Sequence, residues 1–252
     1  MAAVSGTGAY PAHGRNFLLT ALPASDLERL APALEAVWLP LGKVLHEPGE
    51  KLSHVYFPAT CLASLVCVME DGASPEVSLI GSEGMIGLAA LTGGERVAQR
   101  AVVFAEGHAY RLRCEAIQEA LGRAGGRRRG TLNLVLLRYL QALLTQMAQT
   151  AVCNRHHTIP QQLCRWLLFC TDRSGSNELS MTQEMIAGLL GVRREGVTEA
   201  AGRLQAAGLI QYQRGHITVL DRAGLEARCC ECYAVVRKEY QRLLPGTFME
   251  TA

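Results

Sequence analysis

QEMIAGLLGVRREGVTEAAG, running from Gln183 to Gly202, decides how the second half of this chain folds. Counting Gln183 as the first position of a helix-turn-helix, Ala187 is fifth, Gly191 ninth and Val197 fifteenth. Two helices cross closely at the fifth position, so a side chain larger than alanine would force them apart. The ninth position is the turn, where a positive φ favours glycine. Val197 anchors the second helix to the first, and Ile186, Leu190, Val192 and Ala200 fill the other inward positions. Arg193, Arg194, Glu195, Thr198, Glu199 and Arg203 then point outward, where the second helix of such a motif meets base edges in a major groove. An ordinary helical hairpin is the plainer reading, but it does not require small, glycine and branched residues to fall in this register.

The flanks supply a frame. Thr182 is an N-cap that would aim free backbone N–H groups, with Gln183 beside it, at a phosphate. Gly208 stops the second helix. LIQYQRGHITVL, from Leu209 to Leu220, reads as a two-stranded wing turning at Arg214-Gly215, with Arg214 and His216 near its tip. Asp221 caps a further helix through Leu225. Winged helix-turn-helix is therefore the expectation from Leu179 to Asp221.

Charge contributes little to that reading. Lys+Arg number 25 against 23 Asp+Glu, a formal net charge of +2, which excludes a strongly basic nucleic-acid coat protein. The length of 252 residues and 49% hydrophobic content favour two domains. No apolar run approaches the roughly 18 residues of a membrane span. MAAVSGTGAYPAHGR has no apolar secretory core and reads as a disordered tail, so a soluble cytoplasmic protein with no membrane partner is expected. Nine cysteines in such a chain do not imply disulfides, and Cys61, Cys67, Cys164 and Cys170 read as small core residues.

The front half has a different texture. Ser25 to Leu39 carries helical spacing at Leu27, Leu30, Leu34 and Val37, with Ser25 as cap. Short apolar runs then alternate with glycine-rich turns: His54–Phe57, Cys61–Met69, Val77–Ile80, Ala101–Phe104 and His108–Leu112. This pattern indicates a β-sandwich or jelly roll. Cys114 to Leu121 reads as a short helix, and the GGRRRG stretch, Gly125 to Gly130, as a basic loop. Beyond it, Leu132, Leu136, Tyr139, Leu143, Met147 and Thr150 recur at spacings of three and four. Such a seam suits either the protein's own sandwich or a dimer coiled coil. The helix's length and position favour the dimer, which also matches a protein reading two half-sites. A break at Asn154–His157 precedes a new helix opened by Thr158, Pro160 and Gln161 as a capping box, and a joint there would let one domain reorient. His156-His157 reads as a solvated pair.

This order of parts resembles the family of the bacterial cyclic-AMP receptor protein and the fumarate-nitrate reductase regulator, from about Phe17 to Leu225. LSMTQEMIAGLLGVRREGVTEAAGRLQAAGLIQ and RGHITVLDRAGLEA carry most of the resemblance, with GSEGMIGLAAL in the roll. The resemblance implies an α+β chain. It divides into a tail (1–16), a cyclic-nucleotide-binding-like β-roll (17–125), a dimerisation helix (126–153), a winged helix-turn-helix (154–225) and a C-terminal helix and tail (226–252). It implies a dimeric transcription regulator that binds double-stranded DNA, engages RNA polymerase if it activates, and takes an unidentified effector or none. The nucleotide-binding members hold ribose with a Gly-Glu pair and the cyclic phosphate with an Arg-Ser pair. Here these align with Gly87-Leu88 and Gln99-Arg100, so cyclic AMP is not expected to bind; Arg100 reaches a phosphate only if the register slips by one. The recognition helix also departs from the family. Arg194 and Glu195 match base-contacting positions, but Glu199 stands where an Arg is usual. It either accepts from a base such as cytosine or pairs with Arg203 one turn on. The cluster-binding cysteines near the start of oxygen-sensing members are missing, the first cysteine being Cys61.

Cys229, Cys230 and Cys232 crowd together beyond the family domain. Two readings stand: thiols packed on the wing domain, or a redox or metal switch. Three ligands are one short of a closed zinc site, and no histidine lies close in sequence, so no metal or other cofactor is expected. No nucleophile elbow, HExxH or phosphate loop is present, so no enzyme is expected.

Overall fold

A computed structural model describes residues 15–94, 96–123 and 130–247. The chain opens with α1 (Phe17–Thr20) and α2 (Ala24–Leu30), then a 3-10 turn at Ala31–Ala33. Strands β1 (Glu35–Leu39), β2 (Val44–His46), β3 (His54–Pro58), β4 (Leu62–Val66) and β5 (Glu76–Ile80) follow. A short α3 (Ala89–Thr92) precedes β6 (Arg100–Ala105), β7 (Gly107–Arg113) and α4 (Cys114–Arg123). Two antiparallel sheets, ordered β1-β7-β3 and β2-β6-β4-β5, form the roll. The long α5 (Thr131–His156) leads to α6 (Ile159–Ser174), β8 (Glu178–Ser180), α7 (Gln183–Leu190) and α8 (Arg194–Ala206). The chain then forms β9 (Ile210–Gln213), β10 (His216–Val219), α9 (Arg222–Arg228) and α10 (Glu231–Leu243).

Several sequence expectations need correction. The helical spacing after Ser25 ends at Leu30, and Glu35–Leu39 is strand β1, paired with β7. Pro32 explains the stop, since proline lacks the N–H that a continuing helix needs. Pro23, not Ser25, is the N-cap. Asn16, assigned to the tail, is fully buried, and its amide donates to the Pro58 and Gly84 carbonyls at 2.8 Å each. The wing has a third strand, β8, in the order β8-β10-β9. Cys61, Cys164 and Cys170 are buried as expected, whereas Cys67 is half-buried. Residues 1–14 of the expected tail and 125–129 of the GGRRRG stretch lie outside the described residues.

The largest correction concerns α5. It runs past the expected end at Cys153 to His156. Leu132, Leu136, Tyr139 and Leu143 are buried within this one chain, in the core shared with Phe57, Ile80 and Met85. The Tyr139 hydroxyl donates to the Met85 carbonyl at 2.9 Å. Thr150 is also buried, and Met147 packs against the same core. These residues therefore face the roll and are not available as a dimer seam. A second apolar row on the same helix is open: Leu134, Leu137, Leu144 and Val152 are 41%, 43%, 58% and 47% exposed. With exposed Gln141 and Ala148 between them, they recur at spacings of three and four, which is a coiled-coil stripe.

Candidate nucleic-acid interface

The helix-turn-helix forms as its residues dictate. Thr182 caps α7, its hydroxyl accepting from the Met185 N–H at 3.2 Å. Ala187 is buried at the helix crossing, and Val197 is fully buried beneath α8. Gly191 adopts φ +67, and its N–H closes α7 onto the Ala187 and Gly188 carbonyls. Gly196, which sequence reasoning passed over, matters as well: a Cβ there would lie 2.6 Å from Ile159 Cδ1, so its absence lets α6 and α8 pack closely.

The outward face is open. Arg193, Arg194, Glu195, Thr198, Glu199 and Arg203 are all exposed along one side of α8. Thr198 is engaged, its hydroxyl donating to Gln183 Oε1 at 2.6 Å, which ties the recognition helix to the start of α7. Arg194 leans towards Glu184, with 3.9 Å between Nε and Oε2. Glu199 and Arg203 pair at 2.5 Å across one helical turn, the geometry of the second of the two roles open to Glu199. On the wing, Gln213 pairs with His216 across a two-residue turn in which Arg214 has φ +50 and Gly215 φ +82. A side chain such as arginine in that left-handed region is strained, while the turn projects its guanidinium from the tip. His216 is exposed and 3.1 Å from the Ser180 hydroxyl.

The joint is more firmly tied than its residues suggest. The capping box forms, with Gln161 Oε1 accepting from the Thr158 N–H at 3.0 Å. A buried polar junction then links four elements. Arg173 of α6 pairs with Glu83 of the roll at 2.6 Å, with 0% and 1% of the side chains exposed. The Arg173 guanidinium also donates to Gln146 of α5 at 2.7 Å, and Tyr240 of α10 donates to the same oxygen at 3.1 Å. The Gln146 amide in turn donates to Ser78 and to the Leu79 carbonyl at 2.8 Å each. No local pattern signals this junction, because its hydrogen-bonded partners lie up to 94 residues apart.

In the roll, Gly87, Leu88 and Gln99 come together on a pocket of about 280 Å³ between the sheet and α5. Arg100 does not line it; its Nε donates to Glu47 at 2.7 Å, which removes the slipped-register phosphate contact. His46 does line it, and burial pushes its imidazole below the ordinary value.

At the chain's far end, Cys230 and Cys232 are buried and Cys229 is half-buried. His157 is not solvated as expected: only 14% of its side chain is exposed, and its ring meets Cys232 and Glu231.

Comparisons with known proteins agree with this architecture. Residues 161–228 match the Crp-like helix-turn-helix domain. A global nitrogen regulator of Synechococcus elongatus is 26% identical over 193 residues, covering 73% of this chain and 85% of that protein. Among solved structures, FixK2 of Bradyrhizobium japonicum superposes with a TM-score of 0.65 at 15% identity, covering 78% of this chain and 98% of its own. A CRP-family transcriptional regulator of Thermus thermophilus gives 0.62 at 20% identity, covering 76% and 95%. A c-di-GMP responsive global regulator of Xanthomonas campestris also gives 0.62, at 15% identity, covering 78% and 99%. A β-roll joined through a long helix to a winged helix-turn-helix makes this chain a DNA-binding transcription regulator. Its residues 161–228 are those of a Crp-like helix-turn-helix domain, and its overall fold is the one seen in regulators of the CRP/FNR type.

Proposed function

We propose that the protein works in the cytoplasm as a homodimer that reads a near-palindromic operator through α8, with Arg193, Arg194, Glu195, Glu199 and Arg203 facing the groove. Thr182, Gln183, Arg214 and His216 then flank it on the phosphate backbone. The observation that carries this reading is the division of α8. Val197, Ala200, Ala201 and Leu204 are buried, while every α8 side chain named above is exposed on the opposite face. The two protomers meet along Leu134, Leu137, Leu144 and Val152, the apolar row of α5 left uncovered by the chain's own roll. Two-fold pairing sets the half-sites one helical turn, about 34 Å, apart.

Cyclic AMP is not the controlling ligand. Leu88 offers no acceptor to ribose, and Arg100 is held by Glu47. The roll pocket takes a different effector or none, and RNA polymerase is the further partner if the protein activates. Selection of bound duplexes from a random pool, combined with light scattering, tests the whole reading. The expected product is an inverted repeat bound by a dimer. Arg194→Ala should weaken binding by about 1–3 kcal/mol and relax preference at one base position per half-site. No enrichment of any sequence, or unaltered binding by Arg194→Ala, would refute the assignment.

A further inference from the structure

The thiols of the C-terminal segment do not stand alone. Cys153 on the last turn of α5 and His157, the cap residue that follows it, meet Cys230 and Cys232 at the start of α10. The four donor atoms all lie within 4.8 Å of one another. Cys153 Sγ is 3.6 Å from Cys230 Sγ, and His157 Nδ1 is 3.6 Å from Cys232 Sγ. A tetrahedron built on Zn–S bonds of about 2.3 Å and Zn–N bonds of about 2.0–2.1 Å has edges of about 3.8 Å between sulfurs and about 3.5 Å between sulfur and nitrogen. Two opposite edges of that tetrahedron are thus already in place. We propose that Cys153, His157, Cys230 and Cys232 form a closed, mononuclear zinc site that fastens α10 to the end of α5 beside the hinge.

The surroundings fit a metal. Glu231 Oε2 lies 3.3 Å from His157 Nε2, so the outer ring nitrogen has a carboxylate to receive its proton while Nδ1 faces the sulfurs. That is the carboxylate–histidine arrangement which orients metal-bound imidazoles. The Cys232 backbone N–H donates to the Cys230 sulfur at the positive end of α10. Three thiolates, a neutral imidazole and a dication leave one net negative charge. Arg165 is buried, interacts electrostatically with Cys153 and Cys232, and has no hydrogen-bond partner at its Nε. It is placed to balance that charge.

Zinc binds thiolates, so its entry displaces whatever protons the three thiols carry and forms three Zn–S bonds and one Zn–N bond with no change of oxidation state. An iron–sulfur cluster would interpose iron and sulfide between the thiolates and hold them wider apart than this quartet stands. All four positions of a tetrahedral ion are filled, so the site is structural.

The full-length chain, purified without chelator, is expected to carry about one zinc per chain. Stripped under reductant and titrated with cobalt(II), it should show the intense visible bands of a tetrahedral thiolate site and release protons as the thiols bind. Zinc should also raise the melting temperature of the stripped protein. Cys232→Ser and His157→Ala should each lose the bound metal and the cobalt bands, whereas Cys67→Ser on the roll should keep both. Because the cobalt spectrum and zinc-induced melting shift use the unaltered chain, the proposal stays testable if a variant folds poorly. Weak octahedral cobalt bands, iron with acid-labile sulfide, a metal-free protein with a Cys153–Cys230 disulfide, or full zinc retention by both ligand variants would each overturn it.

Discussion

Replacing Leu144 with glutamate separates dimerisation from folding. Leu144 is 58% exposed in the single chain, so 58% of its surface remains to be covered by a partner. Full burial of a leucine contributes about 1.5–3 kcal/mol, so that share amounts to about 0.9–1.7 kcal/mol in each protomer. Two-fold symmetry counts it twice, giving about 1.7–3.5 kcal/mol, or roughly 20- to 400-fold in the dimer dissociation constant. Bringing two carboxylates together across the axis adds to this, so the figure is a floor. Sedimentation equilibrium over a concentration series reads the constant, and thermal unfolding checks that the monomer is intact. Leu136→Glu is the contrast: Leu136 is 4% exposed against the protein's own roll, so that change should lower the melting temperature before it alters assembly. A folded Leu144→Glu protein that dimerises as tightly as the parent would move the interface off this face of α5.

Glu199→Arg should leave stability nearly unchanged, since an exposed pair such as Glu199–Arg203 is worth about 0.3–0.5 kcal/mol, but it should shift the selected operator towards guanine. Recovery of the parent's operator would show that Glu199 does not face the bases. Calorimetry with cyclic AMP should detect no binding at micromolar ligand, and saturable heat would contradict the reading of Leu88 and Arg100. Glu83→Gln should destabilise the fold by about 3–5 kcal/mol, because it leaves the buried Arg173 guanidinium without its counter-charge. An unfolding midpoint in urea equal to the parent's would show that the pair does not clamp the domains.

The helix-turn-helix was legible because its steric requirements are local. Ala187, Gly191 and Val197 meet the demands of a close crossing, a left-handed turn and an anchor within one short stretch. The roll was legible from its glycine punctuation. What failed shares a different cause. Two faces of α5 are apolar, one through Leu132, Leu136 and Tyr139 and the other through Leu134, Leu137 and Leu144, and periodicity alone does not say which meets the chain's own sheets. Leu34 and Val37 continue a helical spacing past Pro32, yet pairing with β7 makes Glu35–Leu39 a strand. Cys153 and Cys230 are 77 residues apart, so only the packing of α10 on α5 makes them neighbours.

Gly196 and Ile159 have a mechanical consequence. Ile159 is the first residue of α6 after the joint, and its methyl end occupies the notch that the missing Cβ of Gly196 leaves on the recognition helix. A side chain at position 196 would therefore have to push α6 and α8 apart, which would change the angle of the reading helix without touching a single base-facing side chain.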